Sequence, residues 1–127
     1  MFKIFFLLLF GLSFSVKAIS VEEKLAQVNY FSLGYNGFIA KKSEGEFIYE
    51  KILSLENNQE IFIRVMHSDN TTNESKLYSA CGLWSINKKR LDEFIPGEGF
   101  VTVLKGDILR RENFKYYFYR IKERGCF

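Results

Sequence analysis

Cys81, Cys126 and His67 are the residues of this 127-residue chain with chemistry to offer beyond packing and solvation. A nucleophile built from Cys81 would need a free thiol beside the His67 ring. His67 is the only histidine, which excludes a histidine-rich metal site, and no zinc spacing or phosphate loop occurs. At the end of an apolar-periodic run, His67 is more simply a residue compatible with a helix C-terminal dipole. Asp92-Glu93 and Glu22-Glu23 are sequence neighbours that point different ways on a helix. They read as solvated faces, not as an acid–base dyad. These residues assign no catalytic group, metal or cofactor. Cys81 and Cys126 themselves have two readings: one bridge, favoured by an oxidising compartment, or a buried Cys81 and a separate terminal thiol. A bridge over that separation would contribute ~2–4 kcal/mol.

The second candidate is the stretch "LGYNGFIAKKSEGE" at residues 33–46. Gly34 and Gly37 permit positive φ or close backbone approach, and Asn36-Gly37 is a type I′ turn signal. The functional reading is a partner-binding loop of Gly34, Tyr35, Asn36 and Gly37; the structural one is a turn packed against the next helix. That helix opens with a capping box: the Ser43 hydroxyl accepts from the Glu46 N–H while the Glu46 carboxylate reaches back to the Ser43 N–H.

The N-terminus frames both candidates. Lys3 precedes an uncharged run at 4–16, and Val16-Lys17-Ala18 offers small or aliphatic residues at the positions a signal peptidase reads. This is the order of a secretory signal peptide, and the run is shorter than the ~20 apolar residues a membrane span needs. Cleavage after Ala18 leaves residues 19–127 as a single small domain. Removing Lys3 and Lys17 leaves 16 basic against 15 acidic side chains. So near-neutral a chain has no global field to draw it to nucleic acid or anionic lipid. The abundant Phe and Tyr support a packed core over a disordered tail.

Hydrophobic periodicity supplies the elements. "VEEKLAQVNYF" spaces Val21, Leu25 and Val28 for a short first helix. Ile48, Ile52 and Leu55 continue the one capped by Ser43. Ile61, Phe62, Val65 and Met66 share the face of the next, which Ser68-Asp69-Asn70 ends. Thr71 and Glu74 repeat the capping-box spacing ahead of Leu77, Tyr78, Cys81 and Trp84. Asn87 caps a continuation through Leu91, Phe94 and Ile95 that Pro96-Gly97 stops. "FVTVL" and "ILRR" then form a hairpin around Gly106-Asp107. Phe114, Tyr117, Phe118 and Ile121 make a last helix, with cations and Gly125 at its end. The expected fold is mainly α, of stacked short helical hairpins with HEAT-like packing and a small β-hairpin before the C-terminal helix.

The basic clusters at 88–90, Arg110-Arg111 and the last helix, interleaved there with Tyr116, Tyr117 and Tyr119, read as solvated faces with aromatics turned inward rather than as a stacking surface for nucleic acid. Asn70-Thr71-Thr72 and Asn73-Glu74-Ser75 are glycosylation acceptors only if the source uses that pathway. Their loop and cap chemistry already accounts for them.

With "GYNGFIAKKSEGE" and "SKLYSACGLWSI" in view, the chain resembles a loosely defined group of small, uncharacterised secreted bacterial proteins. These carry a Gly-x-x-Gly-Phe-like turn, a Ser-x-Gly-Glu helix start and a Leu-Tyr-x-x-x-Gly-Leu helix, here at 34–38, 43–46 and 77–83. Where the group's closing segment has a Gly-Cys pair, this chain has Gly106-Asp107, and its second cysteine stands at 126. The resemblance implies stacked helical hairpins and brings no activity. The expectation is an exported protein, periplasmic or extracellular, that is not an enzyme and meets a protein partner, with no nucleic acid and no membrane span after cleavage. The alternatives are a thiol-dependent hydrolase using Cys81 and His67, or a structural component of the envelope. Ser43→Ala should cost ~0.5–2 kcal/mol through the lost cap, read by urea denaturation, while leaving any binding intact.

Overall fold

A computed structural model of the protein describes residues 20–36 and 41–126. The signal-peptide reading and Gly37 therefore lie outside the described residues. Ser20 accepts from the Glu23 N–H and starts α1 (Val21–Ala26). The helix stops earlier than the apolar spacing through Val28 implied, because the chain turns into an extended strap at Phe31. Two short strands follow, β1 (Tyr35–Asn36) and β2 (Lys41–Lys42), paired Tyr35 to Lys42 and Asn36 to Lys41. Asn36 is thus a paired strand residue. A two-residue turn on Asn36-Gly37 would instead pair Tyr35 with Phe38.

Helix α2 (Glu44–Leu53) has Ser43 at its N-cap, accepting from the Glu46 N–H at 3.1 Å. Helix α3 (Asn58–His67) buries Ile61, Phe62, Val65 and Met66, the four residues that share its periodic face. Its first turn is tied back by the Asn58 side chain, which donates to the Leu53 carbonyl. The cap of α4 (Asn73–Ile86) falls one residue later than its capping-box spacing indicated. Thr72 accepts from the Ser75 N–H, while Thr71 donates to the Val65 carbonyl at the end of α3. The Lys76 ammonium closes that corner on the Ser68 and Thr71 carbonyls, and burial holds its pKa below the usual value.

Helix α4 is the axis of the core. It is buried on every side from Leu77 to Leu83, whereas Trp84, expected in its apolar stripe, is partly exposed. A helix apolar or small all round belongs at the centre of a fold, and α1, α2, α3 and three later elements all pack on it. Asn87 caps the one-turn α5 (Lys88–Asp92), which ends before the expected Phe94 and Ile95; the Lys122 ammonium donates to the Asp92 carbonyl at its end and to the Phe94 carbonyl beyond it. Strands β3 (Phe100–Lys105) and β4 (Ile108–Asn113) form the expected hairpin, closed by Gly106 at φ +61°. Asn113 then caps α6 (Phe114–Arg124), which buries Phe114, Phe118 and Ile121 and ends at Gly125 with φ +76°. The result is mainly helical, with successive helices stacked as short hairpins and the β-hairpin before the last helix. None of the helices among the described residues is long and apolar enough to cross a membrane.

Cys126, just past Gly125, is disulfide-bonded to Cys81 in the middle of α4, with Cα atoms 5.7 Å apart. At the next residue of α4, Gly82 lets the Phe62 ring of α3 lie directly on its backbone, where a Cβ would collide with that ring. Gly82→Ala should therefore cost ~1–3 kcal/mol by overpacking, despite alanine's better helix propensity. Urea denaturation measures it, and stabilisation instead would show that α3 and α4 are free to separate.

Candidate functional site at the neck of the 34–46 hairpin

The loop singled out from sequence grows from a buried polar knot. Tyr78, fully buried on α4, donates its hydroxyl to the Ser32 carbonyl at 2.9 Å and accepts from the Ser32 N–H at 3.0 Å. The Ser43 hydroxyl lies 3.1 Å from the same carbonyl and 3.2 Å from the Tyr78 oxygen. Ser43 thus caps α2 and also fastens that cap to the strap and to α4. These extra bonds put the cost of Ser43→Ala at the upper end of the range for a lost cap. Gly45 makes the approach possible, since a Cβ there would stand 2.7 Å from the Tyr78 oxygen.

Glu46 takes a different partner from the one its capping-box spacing indicates. Its Oε1 accepts from the N–H of Gly34, which has φ +94°, rather than returning to Ser43. The carboxylate is buried; among the described residues its Oε2 has no hydrogen bond and has the Lys42 ammonium 3.9 Å away. Lys42 makes its close ion pair, 2.7 Å, with Glu50. One turn along α2, burial first and the charges of Glu46 and Glu50 next push the Tyr49 phenol up to about 12. Burial likewise raises Tyr78, against the hydrogen bonds of Ser43 and Ser32.

Chemically, the knot binds backbone. Both hydroxyls bond the Ser32 carbonyl. What the neck does is hold the base of the β1–β2 hairpin rigid. Gly34 is placed there by its N–H bond to Glu46, and Tyr35 and Asn36 by strand pairing.

The remaining candidates are scattered. Cys81 carries a sulfur bonded to Cys126, and no free cysteine exists among the described residues. His67 stands edge-on to Phe94, with ring centroids 5.4 Å apart. Glu22 pairs with Arg64 and Glu93 with Arg90, while no group of three or more metal-ligating side chains occurs among the described residues. On α6, Tyr116 and Tyr119 face solvent, correcting the expectation that the aromatics there turn inward. A groove of about 220 Å³ lies between the strap, β3 and α6, with Lys105, Arg120 and the half-buried Tyr117 on its walls.

Sequence reasoning missed the strap itself. Phe31 forms a parallel bridge with Val103: its N–H donates to the Thr102 carbonyl at 2.8 Å, and its carbonyl accepts from the Leu104 N–H at 2.9 Å. The neighbouring Thr102 N–H donates to Glu74 of α4 at 2.7 Å. The only local signal was an aromatic pair, Tyr30-Phe31, after the helix pattern ended.

Fold and site thus define a disulfide-linked, mainly helical class of protein with a rigidly rooted hairpin. Comparison with protein-family models, with curated proteins and with solved structures finds no match.

The Tyr49 environment fixes a pH dependence. Its folded pKa exceeds the ordinary value of 10.0, so its contribution is fully present below pH 10.0 and is lost as pH rises towards about 12. Unfolding free energy should fall across that window, and Tyr49→Phe should flatten the fall. Urea titrations at several alkaline pH values measure both.

Proposed function

We propose that the chain is an exported, non-enzymatic protein that acts by contact with another protein, in the periplasm where the source has an outer membrane. An inhibitor of the immunity-protein kind is one form of this. The observation carrying the proposal is the surface of the β3–β4 hairpin, where Phe100, Ile108 and Leu109 are 57%, 56% and 61% exposed. Leu109 shares one face of the hairpin with Phe100 while Ile108 points to the other, so apolar side chains are held in solvent on both faces, where a partner would cover them. The disulfide supports export, because such bonds persist in oxidising compartments. The kinship with small secreted bacterial proteins belongs to the same proposal.

The thiol-hydrolase reading needs a free Cys81, and the bonded sulfur speaks against it. Thiol titration decides between them. The native mature protein should react only after reduction, and an alkylatable Cys81 before it would restore the enzyme. The contact itself is tested by placing a photo-crosslinking side chain at Ile108 in the exporting cell. A discrete heterologous adduct is expected there and not at the solvated Glu56. Absence of any adduct from Ile108, Phe100 and Tyr116 alike would overturn the reading.

A further inference from the structure

From the same surface we infer that the outer edge of β4 receives an extended acidic segment of a partner protein as an added strand; this rests on the contact function proposed above. The edge is defined by the hydrogen-bond alternation of the hairpin. In an antiparallel pair, residues that do not bond across the ladder turn their N–H and C=O outward together. On β3, Thr102 and Leu104 are such residues, because they bond instead to Phe31 and Glu74. Their opposite numbers on β4 are Arg111 and Leu109. Those two therefore direct their backbone groups away from β3, and among the described residues no further strand lies beyond β4. β3 is closed on its other side by the strap, so among the described residues the open edge of this sheet is that of β4.

The side chains specify what fits. Five of the six β4 residues are exposed. Arg110 and Arg111 are adjacent and point to opposite faces, and neither forms an ion pair among the described residues. Arg111 instead lies over the Phe100 ring at 5.2 Å. An added strand thus meets a cation on each face, with Ile108 and Leu109 beside them. It matches with two neighbouring carboxylates flanked by apolar residues. The backbone ladder would give affinity and the side chains selectivity. A second copy of β4 fits poorly. The central antiparallel registers set Arg110 against Arg110, Arg110 against Arg111, or Arg111 against Arg111, and like charges directly opposite are destabilising. The arginines therefore act against self-pairing while favouring an acidic guest.

The test uses the mature chain and a capped Val-Val-Asp-Asp-Val-Val peptide, with Val-Val-Lys-Lys-Val-Val as its control. Amide exchange at Leu109 and Arg111 should slow on adding the acidic peptide, and the basic one should bind at least about tenfold more weakly, with the gap closing at high salt. Leu109→Pro removes an outward N–H without touching the β3 ladder and should abolish binding. Should that variant misfold, Arg110→Glu with Arg111→Glu must reverse the preference towards the basic peptide. No binding, equal binding of both peptides, or protection centred away from β4 would each overturn the inference. So would a wild-type dimer in sedimentation that the charge reversal alters. Failure here with a retained Ile108 crosslink leaves partner contact standing and removes only the strand-addition mode. Failure of both removes the contact reading as well.

Discussion

One phenol, Tyr78, determines how the N-terminal third of the chain meets the rest. Its hydroxyl bonds both polar groups of the Ser32 backbone in the interior, where an unmatched N–H or C=O costs ~1–3 kcal/mol. Because Ser32 is pinned, Phe31 before it lies against β3, and Ser43 after the hairpin finds the same carbonyl. Helix α4, the strap, β3 and the start of α2 are thereby positioned by one polar cluster. The glycine at 45 follows from it, since the ring and the backbone of α2 come too close for a side chain.

The elements that were legible in the sequence are those whose determinants are local. Ser43 caps α2 because its partner is three residues away, and Gly106 turns the hairpin because positive φ is a property of one residue. Phe114, Phe118 and Ile121 face inward because helical spacing alone requires it. The two acids of the expected capping boxes show where this stops. Glu46 serves Gly34 and Glu74 serves Thr102, bonds that span twelve and twenty-eight residues. The spacing of either box is identical whether the carboxylate turns back or reaches out. Only the arrival of another strand decides which.

The same limit applies to the candidate site. Cys81 and Cys126 were legible as a pair from their even count and the expectation of export, and the fold brings them together. The importance of Gly34 was visible as a glycine, but its binding to a buried carboxylate was not. The strap at Phe31 left almost no trace, because a parallel bridge to Val103 is a contact across seventy-two positions with no periodic pattern behind it. Exposure of Ile108 and Leu109 was likewise illegible, since alternation marks which face a residue takes and not whether anything lies on that face.

The sulfur bond has a topological result that stability bookkeeping does not express. It encloses α5, both long strands and the whole of α6 in a covalent ring anchored at mid-α4. A protease that nicks one exposed peptide within that ring opens a circle without releasing a fragment. Both new ends stay tethered to the central helix, close enough to settle back. Where proteases are abundant, the part of the molecule that bears the β4 edge is thus the part that stays attached after a single cut.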